Sequence, residues 1–205
     1  MKIAIIAFDD FTDIDVFFMW DLLNRVKLSD WQVKLLGDAT HHTSVSGLTI
    51  PMHGHLEEAN ECDAVLFASG QGTRKKINDK AFLSAFKLNP DKQLIGSMCS
   101  GALLLAALGL LAGKRATTYP TAKKALEGFG VEVIEKSFVM EGNIATAAGC
   151  LAAQELAGWV IERLVNAEMR ALVLQSIMPV GEGLYFEDEE TVARAYAGTP
   201  ATPMP

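Results

Sequence analysis

The sequence predicts an α/β fold, a doubly wound, mostly parallel sheet with helices on both faces. Three observations predict it. Apolar runs of strand length alternate with helical segments along most of the chain. The first of those runs is apolar from Ile3 and rich in β-branched Ile, as in a strand covered on both faces. The chain has 205 residues, half of them hydrophobic, which suits one domain with a sizeable core.

Taken in order, Lys2 to Phe8 reads as the first buried strand. Phe11 to Ile14 reads as an acidic turn. Asp13 or Asp15 is placed to cap the helix running on through Val16 to Leu23. Trp31 to Gly37 is a second strand. Ser44 to Met52, with Gly47 inside, is extended or a hairpin. Asp63 to Ala68 is a buried strand entering Ser69-Gly70-Gln71-Gly72, and Ala81 to Leu88 is a helix. A central strand around Leu94 and Ile95 follows. The helix after it begins at Ala102 and closes at Gly113. Arg115 to Thr118 is a short strand, and Thr121 to Glu127 a helix stopped by Gly128 and Gly130. Strands follow at Val131 to Ile134, Phe138 to Met140 and Ile144 to Ala147. Gly149 opens a helix to about Val165, and another runs from Ala167 to Ile177. The α/β domain is therefore expected over residues 1–177 and a polar appendage over residues 178–205. The appendage has a short helix from Asp188 to Tyr196 and a Pro-, Thr- and Ala-rich end from Gly198.

Bulk properties exclude several function classes. A net charge of −7 argues against non-specific nucleic-acid binding. No apolar run approaches a membrane span. Asp9 and Asp10 stop the opening apolar run too early for a signal peptide. Three separated cysteines make no disulfide framework, so a reducing, cytoplasmic location is expected.

The chemistry centres on Ser97-Met98-Cys99-Ser100-Gly101-Ala102. A buried strand ends, a tight turn carries Cys99, and a helix begins at once. This is the layout of the nucleophile elbow, with Cys in place of Ser. Amide groups at the helix start should stabilise an anion, so the thiol pKa is expected to fall. In a doubly wound sheet the site lies beyond the carboxyl ends of the strands. There the loop from Asp9 to Asp15 supplies a carboxylate and the Ser69–Gly72 loop supplies backbone N–H groups. That glycine loop lacks the spacing of a dinucleotide fingerprint or a P-loop. His41-His42 and His53-Gly54-His55 are too few ligands for a metal site and read as solvated loop histidines. No metal or cofactor is expected. Cys62 reads as structural. Cys150 stands at another helix start near the site, as a second thiol of structural or reactive role.

The elbow resembles that of the ThiJ/PfpI superfamily. So do Gly109-Leu110-Leu111-Ala112-Gly113-Lys114-Arg115-Ala116-Thr117-Thr118 and Gly142-Asn143-Ile144-Ala145-Thr146. Within the superfamily the pattern is similar to isonitrile hydratases. The resemblance implies a flavodoxin-like sandwich, a homodimer, Cys99 as nucleophile and Asp15 as proton donor and acceptor. It also implies oxyanion donors at Gly70 and Ser100, and a small-molecule substrate with an electrophilic carbon. Tyr119, Phe18 and Gln71 are pocket candidates. Tyr119 stands where relatives carry His, Phe18 and Met19 where isonitrile hydratases show Gly-Pro, and Ser69-Gly70 where relatives have a double glycine. Ser100 follows the Cys where protease-like members have His, which argues against a peptidase. The alternatives are a glyoxalase- or deglycase-like reaction on reactive aldehydes and a non-catalytic redox sensor.

Overall fold

The computed structural model describes residues 1–197 of the chain. The strands are β1 (Lys2–Ile6), β2 (Gln32–Gly37), β3 (His41–Thr43), β4 (Thr49–Pro51), β5 (Gly54–His55), β6 (Ala64–Phe67), β7 (Leu94–Met98), β8 (Arg115–Ala116), β9 (Glu132–Val133), β10 (Phe138–Glu141) and β11 (Ile144–Ala147). The helices are α1 (Asp13–Asn24), α2 (Thr73–Lys76), α3 (Lys80–Ser84), α4 (Ala102–Ala107), α5 (Lys123–Glu127), α6 (Ala153–Leu164), α7 (Ala167–Gln175) and α8 (Glu189–Ala197). The main sheet has seven strands in the order β10-β11-β7-β6-β1-β2-β5. Every pairing is parallel except β10 with β11. The doubly wound, flavodoxin-like expectation therefore holds.

The chain leaves β1 for β2 on one side, then returns as β6 on the other. The loops after β1 and β6 thus part at a topological switch point, where a crevice opens at the carboxyl edge. Two cores cover the sheet. One packs α1 and α6 through Val16, Met19, Leu156 and Val160. The other packs α3 and α4 through Phe82, Leu103 and Leu104. The strands between them are buried on both faces, which is why β6 and β7 show no polar alternation.

Several boundaries differ from the sequence expectation. Thr12, not Asp13 or Asp15, precedes the first helix, with extended backbone and no side-chain cap. Both aspartates therefore lie within the first turn. The helix after the elbow ends at Ala107 rather than at Gly113. The helix expected from Gly149 starts as a single tight turn, Cys150–Ala152, before α6. The tail is less polar than expected: α8 buries Ala195, while Val180, Tyr185 and Phe186 are exposed. The Pro-rich end from Gly198 lies outside the described residues. No helix among the described residues is long and apolar enough to cross a membrane.

Candidate active site

The elbow is the most constrained backbone near the cavity. β7 is buried along its length, and Cys99 follows it with φ +45°. A side chain larger than Gly adopts that region only when its surroundings impose it. Gly101 shows one such constraint. A Cβ there would lie 2.7 Å from the carbonyl oxygens of Phe67 and Ala68, so the turn presses against the end of β6. The Thr118 hydroxyl donates to the Cys99 carbonyl at 2.9 Å and fixes the turn from the other side.

Asp15 arrives from α1. The Thr12 amide donates to the Ser69 carbonyl at 2.9 Å, tying the start of that helix to the loop after β6. Asp15 is fully buried. The Ser69 hydroxyl donates to its Oδ2 at 2.5 Å. Oδ1 is buried with no hydrogen-bond partner among the described residues. A carboxylate oxygen, the Cys99 sulfur and the Cys150 sulfur all lie within 4.8 Å of one another.

This packing reverses the electrostatic expectation for Cys99. Burial first, then the charge of Asp15 and its hydrogen bond to the sulfur, push the thiol pKa well above its ordinary value. The Gly149 amide pulls the other way but does not prevail. The physical reason is that the sulfur is buried, so the charged thiolate loses its hydration. Two anions side by side in a dry pocket are unfavourable. Burial and Asp15 also push the Cys150 thiol up, to about 11.

The group lines a cavity of 580 Å³ at the carboxyl edge of the sheet. Of the residues expected there, Asp15, Gly70, Gln71, Cys99, Ser100 and Tyr119 line it. Phe18 does not. It packs, partly buried, against the core shared by α1 and α6, because it lies on the helix side facing that core. The Gly70 amide donates to the Ser100 hydroxyl at 3.2 Å, and that hydroxyl faces the Gly70 carbonyl at 3.2 Å. Gly70 holds φ +145°, and a Cβ there would meet the Asp10 carbonyl at 2.1 Å, so only glycine brings this loop to the pocket.

Sequence reading missed Arg74 and left Cys150 undecided. Arg74 sits one turn after Gly70 on α2, and among the described residues its guanidinium reaches neutral oxygens, on Gly70, Thr73 and Thr121. Cys150 is brought to the pocket by β11 lying beside β7. That adjacency joins residues far apart in sequence.

His41, His53 and His55 are exposed, as expected of solvated histidines, but His42 is not. His42 is buried, with Nδ1 3.2 Å from Asp9 and Nε2 3.2 Å from Asp38. His53 stacks on Trp20 and accepts the Leu35 amide at 3.0 Å. None lines the cavity. Among the described residues, Asp15, Cys99 and Cys150 are the group with ligand spacing for a metal ion.

Residues 1–163 match the sequence pattern of the DJ-1/PfpI family. The chain belongs to that family. An isonitrile hydratase of Pseudomonas putida is 28% identical over 175 residues, 84% of this chain and 76% of the relative. A deglycase of Pyrococcus abyssi is 27% identical over 150 residues, 70% of this chain and 87% of the relative. A ThiJ/PfpI family protein from Pseudomonas syringae has the same fold, with a TM-score of 0.79 at 21% identity, covering 96% of this chain and 89% of that one. In family terms, the buried Asp and the elbow Cys meet at the edge of a flavodoxin-like sheet.

Proposed function

We propose that the chain is a cysteine-dependent hydratase acting on a small electrophilic carbon of the isonitrile type. The observation that carries this reading is the contact of Asp15 with Cys99 on a strained elbow at the floor of the cavity. The reaction needs a soft nucleophile and a single proton relay, and the pair supplies both. The Cys99 sulfur bonds to the isonitrile carbon while its proton, carried by Asp15, is delivered to that carbon. The product is a thioimidate. Water then adds to the same carbon, with Asp15 taking its proton. Asp15 gives that proton to the nitrogen, the C–S bond breaks, the added hydroxyl becomes the carbonyl as its proton passes to the sulfur, and a formamide leaves with the Cys99 thiol regenerated. Charge developing during these steps is met by the Gly70 and Ser100 amides. The contact now made by the Gly70 amide is long at 3.2 Å, so a substrate atom can compete for it. Ser69 holds Asp15 in place throughout.

A second reading, a deglycase-like reaction on reactive aldehydes, is favoured by the similarity to the Pyrococcus abyssi deglycase. Against it stands the absence of histidine from the cavity lining among the described residues, which leaves Asp15 as the carboxyl group beside the sulfur. The two separate in one experiment. Purified protein is incubated with cyclohexyl isocyanide or with methylglyoxal, and formamide formation and aldehyde loss are followed. Formamide from wild type and none from Cys99→Ala supports the hydratase. Aldehyde loss without formamide replaces it by the second reading.

A further inference from the structure

Cys150 is not needed for the hydration above, yet its sulfur lies within 4.8 Å of both the Cys99 sulfur and an Asp15 oxygen. We propose that Cys150 is a resolving thiol, and that a hydroperoxide converts Cys99 and Cys150 into a reversible intramolecular disulfide that closes the site.

The chemistry balances with one oxidant. The Cys99 thiol gives its proton to Asp15 and its sulfur attacks the outer oxygen of the hydroperoxide. The O–O bond breaks, Cys99 becomes a sulfenic acid, and Asp15 passes the proton to the departing oxygen, which leaves as water or alcohol. The Cys150 sulfur then attacks the sulfenic sulfur. The S–S bond forms, the S–O bond breaks, and the hydroxyl leaves as water with the Cys150 proton. Two electrons pass from the thiol pair to the peroxide.

The backbone decides which sulfur moves. Cys99 is held by β7, by Thr118 on its carbonyl and by the pressure of Gly101 on β6. Cys150 follows Gly149, which has φ +88°, and no atom lies within 4 Å of where a Cβ on Gly149 would stand. Cys150 is half-buried and lines the cavity, so it has both the room and the access. A thiol this near meets a sulfenic acid at high effective concentration, and disulfide formation should outrun further oxidation. The unpartnered Asp15 Oδ1 faces no competing donor, which leaves it available to relay the protons.

This pairing uses the same sulfur as the proposed reaction but requires no turnover, so either reading can fail alone. The test treats the full chain with a several-fold excess of hydrogen peroxide and counts free thiols before and after dithiothreitol, with intact-mass analysis. Wild type should lose two thiols and two hydrogens, leaving Cys62 free, and dithiothreitol should restore both. In Cys150→Ser, Cys99 should instead gain two oxygens and stay oxidised in dithiothreitol. Cys99 sulfinic acid in the wild type with Cys150 still free would overturn the proposal. A disulfide through Cys62, or one joining two chains, would overturn it as well.

Discussion

Ser69 and Asp15 form a hydrogen bond of 2.5 Å that joins the loop after β6 to the first turn of α1 across the topological switch point. The bond fixes the carboxyl group, one oxygen of which lies within 4.8 Å of both sulfurs. Ser69→Ala removes that orientation without adding bulk. A hydrogen bond to a charged group is worth about 1.5–3 kcal/mol, so kcat should fall by roughly ten- to a hundredfold. Thermal unfolding should show a folded variant with a lowered midpoint, since a buried carboxyl group loses its donor. A variant with unchanged turnover would show that Asp15 is held by its helix alone.

Asp15→Asn separates charge from proton transfer. The amide keeps the shape but cannot accept the Cys99 proton, so turnover should drop by about 10² or more. The charge of Asp15 is one of the forces pushing the thiol up, so its removal should shift iodoacetamide labelling of Cys99 to lower pH. Labelling against pH, resolved by residue with mass spectrometry, tests both sign and site. A profile that coincides with wild type would remove Asp15 from contact with the sulfur.

The elbow was legible because its determinants are adjacent: an apolar strand, Cys99, then Ser100 and Gly101. The depth of the sulfur was not legible. It arises from packing by β6, β11 and α1, and it reverses the pKa direction that a helix start suggests. Asp13 and Asp15 read alike as caps, yet Asp13 accepts from Ser46 at 2.8 Å near the surface while Asp15 is buried. Two residues of helical rotation separate them, and only the docking of α1 decides which faces inward. Cys150 and His42 failed for the same reason. Their partners come from other strands and loops.

A homodimer is expected from the family resemblance, and exposed apolar groups suggest where it forms. Ile14 is 44% exposed and Leu151 is 69% exposed. They flank Asp15 and Cys150 at the same end of the neighbouring helices α1 and α6. Covering them would shield the cavity rim from water. Sedimentation at micromolar concentration should report twice 22.1 kDa. Leu151→Glu should shift the equilibrium toward monomer, since a buried unpaired charge opposes association. A wild-type monomer, or a variant dimer of undiminished affinity, would remove this face from the interface.

His42 should make stability depend on pH in a defined window. Burial disfavours its cation, but Asp38 and Asp9 outweigh that cost and raise its pKa above 6.5. Asp38 is held well below its ordinary 3.8 by His42 and, against some burial, by Lys76 at 2.5 Å. A raised histidine pKa means the folded state binds the proton more tightly than the unfolded chain. Its stabilisation is therefore complete below pH 6.5 and lost as pH rises through the raised value. The depressed Asp38 works in the other direction: its contribution is present above pH 3.8 and lost as pH falls further. Both contributions coexist between those limits. His42→Gln removes the cation and leaves Asp38 with Lys76, at a cost of about 1–3 kcal/mol for the lost charged contacts. The gap in urea midpoint between wild type and His42→Gln should be widest near pH 5.5 and should narrow by pH 9. A gap of constant size across that range would mean that His42 is neutral in the folded protein and that its two carboxylate neighbours do not hold a proton on it.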